Sequence, residues 1–146
     1  MKKRKQWLML VCIALAICLV SGGMLYIRQK NYSKKWSLIY IPKTEDGTND
    51  FWTSLISGTR MAALECGASL EILAPRREQD VEMQNRLLKK AIEKQPDAIL
   101  FSPSSFVASD ELLQEARDKG IKITFIDSYT EKNIQDLTVA TDNLEA

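Results

Sequence analysis

KWSLIYIPKTEDGTNDFWTSLISGTRM, residues 35–61, decides how this chain folds. It opens with an apolar run, Trp36 to Ile41, that reads as a buried strand. It closes with apolar residues at helical spacing: Trp52, Leu55, Ile56, Thr59, Ala62, Ala63 and Cys66. Between them lies a polar loop, Pro42 to Asp50, with Gly47 inside it. A strand that feeds a helix through such a loop is the opening unit of an open α/β sheet. Ligands of those sheets bind in the crevice beyond the carboxyl ends of the strands. The end of the loop and the start of the helix, Asn49 to Trp52, are therefore the first candidates for function.

The same grammar repeats downstream. A helix over Asp50–Cys66 stops at Gly67, as a glycine just past a helix commonly dictates. A strand over Ser69–Leu73 and a turn over Ala74–Gln79 come next. The second helix, Asp80–Lys94, has Val81, Gln84, Leu87, Leu88, Ala91 and Ile92 at inward spacing, and Pro96 closes it. Ala98–Phe101 is a third strand, with Ser102-Pro103-Ser104-Ser105 as its loop. Val107–Lys119 is a third helix, stopped by Gly120. Ile121–Ile126 is a fourth strand, Asp127–Gln135 a loop without a helical stripe, and Leu137–Ala140 a fifth strand. Apolar strands alternating with helices through short links predict a three-layer α/β fold, a parallel sheet covered on both faces. Right-handed crossovers then favour the strand order 2-1-3-4-5.

Upstream, the composition changes. Residues 1–35 carry eight Lys or Arg and no acid. The remaining twelve bases and all nineteen acids lie in residues 36–146, and 12 − 19 leaves that part at −7. An acidic domain repels phosphate backbones, so nucleic acid is not an expected partner. The basic tail 1–6 leads into Trp7–Ile27, almost wholly apolar and about long enough to span a bilayer as a helix. Two readings are open. One is a signal peptide cleaved before Met24, with Ser21 and Gly23 as small residues; the other is an uncleaved anchor, because apolar character resumes at Met24 to Ile27. The anchor is the expectation, with 28–35 as a tether and residues 36–146 outside the cytoplasm, in the periplasm or at the cell surface. Basic residues flank the apolar run on both sides, so charge alone does not set its orientation.

The absence of histidine excludes Ser-His-Asp and Cys-His catalysis and imidazole zinc sites. Pro42 to Asp50 holds a single glycine, so no glycine-rich phosphate loop follows the first strand. No cofactor is expected. Cys66 is the domain's lone cysteine and, on the apolar stripe, is expected to be a buried structural thiol.

The order of these pieces resembles the N-terminal lobe of type I periplasmic sugar-binding proteins, the ribose- and galactose-binding group, a lobe shared with repressors of the lactose-repressor family. Four local matches carry the resemblance from Ser37 onward: Asn49-Asp50-Phe51-Trp52 leading into a helix with Gly58 and Ala62-Ala63; Gln95 to Leu100 running into Ser102-Pro103; Gly120 to Ile123 running into Asp127; and Val139-Ala140-Thr141-Asp142-Asn143. The resemblance implies a non-enzymatic binding protein for a small sugar or polyol, gripped between two lobes, with Asn49, Phe51, Trp52, Asp127 and Asp142 at ligand positions. It implies a partner that is an ABC permease or a sensor histidine kinase, and a second lobe beyond the five strand units present. Plainer roles stand beside these: Asn49 as a helix cap, Trp52 as core, Asp142 as a cap or hinge residue, Arg76 and Arg77 as solvated turn residues. The family often has Arg after the fourth strand's aspartate; Ser128 stands there instead, which leaves the sugar open. A flavodoxin- or Rossmann-like enzyme and a repressor lacking its DNA-binding part are the alternatives.

Overall fold

A computed structural model describes residues 35–141, together with Cys18 and Gly22. The expected membrane anchor, Trp7–Ile27, falls outside the described residues, apart from those two, and so does Asp142. Among the described residues no helix is long and apolar enough to cross a membrane. The chain divides after Lys35 into two units, and the sheet and its helices belong to the second, Trp36–Ala146.

Five strands form one sheet: β1 (Ser37–Ile41), β2 (Ser69–Ile72), β3 (Ala98–Phe101), β4 (Lys122–Ile126) and β5 (Leu137–Val139). Three helices join the first four: α1 (Asp50–Glu65), α2 (Val81–Glu93) and α3 (Asp110–Asp118). The strand order is β2-β1-β3-β4-β5 and every neighbouring pair is parallel, as the alternation predicts. Register stacks Ile39, Ile99 and Ile123 in one row and Ile41, Phe101 and Phe125 in the next. These six residues are buried against Leu88, Ala91 and Ile92 of α2 and Leu113 and Ala116 of α3. Right-handed crossovers put α1 on the opposite face, where it packs against β2. That face is covered less completely: Tyr40 is buried, while Leu38, Leu100, Thr124 and Ile126 are half-buried.

Two expectations need correction. Cys66 is exposed, not buried. The apolar stripe of α1 buries Trp52, Ile56 and Ala63, but the helix ends at Glu65. Cys66 is its C-cap residue, with its N–H on the carbonyl of Ala62, and Gly67 turns the chain away at φ +66°. The stripe therefore runs out one turn before the sequence spacing does. The third helix starts at Asp110 rather than Val107. The Ser105 hydroxyl accepts from the N–H groups of Val107 (3.4 Å) and Ala108 (3.3 Å), and this local turn competes with helix.

Candidate functional site

Strands β1 and β3 are neighbours in the sheet but belong to different halves of the winding: the chain goes outward from β1 to β2, then back across to β3. Ligand crevices of open α/β sheets lie at that reversal. The connections after β1, β3 and β4 meet there. Pro42 and Thr44 of the first are buried. The Thr44 hydroxyl accepts from the N–H of Asp46 (3.2 Å), and Glu45 donates its N–H to the carbonyl of Pro75 (3.3 Å). The polar loop after β1 is thus tied down at its start, and Lys43 stands between its two buried residues.

Lys43 and Asp127 meet across the crevice. Lys43 Nζ lies 3.4 Å from Asp127 Oδ2, although 84 residues separate them. The ammonium also sits 5.6 Å from the centre of the Trp52 ring, a cation–π distance. Trp52 in turn meets Phe51 edge to face at 4.9 Å. So Phe51, Trp52, Lys43 and Asp127 form one run of contacts from the start of α1 to the end of β4.

The expected site residues take different parts in it. Trp52 is 3% exposed, so it supports the site from below. Phe51, 50% exposed, presents its ring outward. Asn49 caps α1: its Oδ1 accepts from the N–H of Phe51 at 3.0 Å. Asp127 holds a backbone φ of +71°, a left-handed conformation that Asp and Asn tolerate better than most residues. Its N–H donates to the carbonyl of Val139 (2.8 Å), and the Ser128 hydroxyl donates to its carboxylate (2.8 Å). Asp142 lies outside the described residues, so its place is not set against these.

Several site residues carry no signal in the sequence. A recess of about 100 Å³ opens beside Lys43, lined also by Ser104, Ser105, Phe106, Ser128 and Tyr129. Phe106 and Tyr129 are 61% and 60% exposed and meet edge to face at 5.5 Å. Ser104 Oγ is buried and makes no hydrogen bond among the described residues. The loop Ser102–Ser105 is visible in sequence, but its aromatic neighbours are not, because Phe106 and Tyr129 meet only through the fold. A larger recess, about 400 Å³, lies beside the connection after the edge strand β2, between Pro75, Arg76, Arg77, Met83 and Leu87. It stands away from the winding reversal, so it is the weaker candidate.

Beneath the crevice the Tyr40 hydroxyl is hydrogen-bonded to Ser102 Oγ at 3.1 Å. Burial pushes its pKa up to about 12; the Ser102 bond opposes this and the negative charge of Asp127 adds to it. The surface as a whole offers one ammonium, one carboxylate, three serine hydroxyls and exposed aromatic faces. It can accept from and donate to neighbouring hydroxyls and cover C–H surface, the chemistry of a polyol.

The sequence profile of the periplasmic binding protein domain matches residues 40–146. No curated protein sequence matches the chain. Among solved structures, a sugar transporter from Clostridium phytofermentans is similar at 40% identity, with a TM-score of 0.73 over 76% of this chain and 41% of that one. A carbohydrate transporter solute-binding protein from Agrobacterium radiobacter, in complex with D-arabinose, is 28% identical, with a TM-score of 0.70 over 77% of this chain and 37% of that one. An ABC transporter solute-binding protein from Agrobacterium vitis, bound to alpha-D-tagatopyranose, is 25% identical, with a TM-score of 0.67 over 76% and 40%. The chain spans about two fifths of the length of these structures.

Proposed function

Because the chain belongs to the periplasmic binding protein domain family, we propose that residues 36–146 are one jaw of a non-enzymatic receptor for a small carbohydrate. The observation that carries this reading is the crevice at the winding reversal, where the Lys43–Asp127 pair stands beside the exposed rings of Phe106 and Tyr129. Asp127 accepts from two neighbouring sugar hydroxyls, Lys43 donates to others, and the Ser104 hydroxyl donates or accepts. Phe51, Phe106 and Tyr129 cover the C–H faces. Two of the similar structures hold sugars, D-arabinose in one and alpha-D-tagatopyranose in the other, which supports a ligand of this class. The apolar run 7–27 holds the domain at the outer face of the cytoplasmic membrane, where it serves an ABC importer or a sensor kinase.

A complete small-molecule pocket encloses roughly 300–1,000 Å³. The recess here, about 100 Å³, grips one side of a monosaccharide. Binding to this chain is accordingly weak, with a Kd of about 1 mM or above, equivalent to about −4 kcal/mol or less favourable. The test is an NMR titration of the full-length chain in detergent with D-arabinose and with D-tagatose. The expected result is saturable amide shifts confined to Lys43, Phe51, Ser104 to Phe106 and Asp127 to Tyr129. Shifts that never saturate, or that cluster elsewhere, overturn the reading.

A further inference from the structure

Gln84 lies on the inward stripe of α2, in line with Leu88, Ala91 and Ile92, and is 0% exposed. A primary amide in such a place is costly unless its donors and acceptor are matched. All are matched, and all by main-chain groups of the crevice. Nε2 donates to the carbonyl of Pro42 (3.2 Å) and to that of Ser102 (2.9 Å); Oε1 accepts from the N–H of Ser104 (2.9 Å). The partners fix which end of the amide is which, since two carbonyls require donors and an N–H requires an acceptor. Pro42 opens the connection after β1, next to Lys43. Ser102 and Ser104 open the connection after β3.

Asn85 completes the arrangement. Its Nδ2 donates to the carbonyl of Ala108 (2.9 Å), and its Oδ1 accepts from the Ser109 hydroxyl (2.6 Å). Two consecutive amides on α2 thus hold both ends of the segment 102–109, and the crevice residues Ser104, Ser105 and Phe106 lie between. Phe106 passes the restraint on, because its carbonyl accepts from the N–H of Glu131 (2.8 Å) in the connection after β4. A hydrophobic side chain could fill the volume of Gln84 but would leave two carbonyls and one N–H of irregular backbone without their partner.

We infer that Gln84 is the positioning residue of the crevice: one buried amide sets the connection that carries Lys43 against the connection that carries Ser104 to Phe106. Its functional meaning rests on the carbohydrate reading; its mechanical role does not. Gln84→Met keeps length and packing and removes every hydrogen bond. Hydrogen exchange on the full-length chain in detergent should show amides of 43–48 and 102–109 exchanging about tenfold or more faster, while the strands keep nearly their original protection. The D-arabinose Kd should weaken about tenfold in parallel. Gln84→Asn, still an amide but one methylene short, should give the same regional pattern and serves if the Met variant does not fold. A rise spread evenly over sheet and loops would make Gln84 an ordinary core residue and overturn the inference, as would unchanged exchange at Ser104. A wild-type chain with no saturable response to D-arabinose or D-tagatose would sink the carbohydrate reading, and the exchange pattern would still decide what Gln84 does.

Discussion

At Asp127 one residue meets a backbone demand and carries the carboxylate proposed for the ligand. Its left-handed φ favours Asp or Asn over a β-branched residue, and its carboxylate faces Lys43. Asp127→Asn retains the backbone tolerance and removes the charge. Folding stability should change by less than about 1 kcal/mol, because the pair with Lys43 is partly solvated. Affinity for D-arabinose should fall about tenfold to a hundredfold, the weight of a charge-assisted hydrogen bond of about 1.5–3 kcal/mol. Titration of both proteins decides it, and equal affinities would remove Asp127 from the site. Tyr40 gives a second residue-scale prediction. The folded state holds its phenolic proton more tightly than the unfolded chain does. Its contribution is therefore full below pH 10 and declines as pH rises toward 12. Tyr40→Phe should melt lower at pH 8, where Ser102 loses its partner, yet lose less stability than wild type between pH 10 and pH 12. Melting curves across that range test it. At this scale the sequence shows Asp127, Phe51 and Asn49 through their places at element ends. It also displays Gln84 on an apolar stripe, a buried polar residue in need of partners. Those partners are main-chain groups, which carry no sequence signature.

At the scale of elements, boundaries follow local chemistry. Inward spacing makes Asp80 the first residue of the second helix; in the fold it is the N-cap, and its Oδ1 accepts from the N–H of Met83 at 3.0 Å. Asp80→Ala should cost about 1 kcal/mol, a fall in Tm of about 4 °C, measured by thermal melting. Gly67 and Gly120 are legible as helix stops because both take positive φ. Helical spacing is less reliable at the end of α1. Periodicity continues to Cys66, but the polypeptide has left the helix there, so the thiol faces solvent. A thiol reagent should label Cys66 in the native protein about as fast as in urea. Slow native labelling that denaturation accelerates would restore the buried reading. The shortened third helix has a similar origin, since the Ser105 turn is a local competitor that a hydrophobic stripe does not register.

For the molecule as a whole, the strand order is readable because alternation and crossover handedness together leave few topologies. Which side chains that topology gathers is not readable. Lys43, Phe106, Tyr129 and Asp127 converge only once β1, β3 and β4 lie side by side. The proposed placement outside the membrane is tested on intact cells: external protease should degrade residues 36–146, and protection from protease would put the domain inside. The parallel register has a temporal consequence. Leu38 of β1 finds its β3 partner at Ala98, sixty residues later. A ribosome adding about 5–20 residues per second takes about 3–12 s over that interval. No hairpin can form meanwhile, because every strand pair here is parallel and needs a crossover. The most buried strand of the sheet is therefore made first and sheltered late: β2 can flank it partway through, but until β3 is made its Ile39-Tyr40-Ile41 run keeps one edge without its final neighbour.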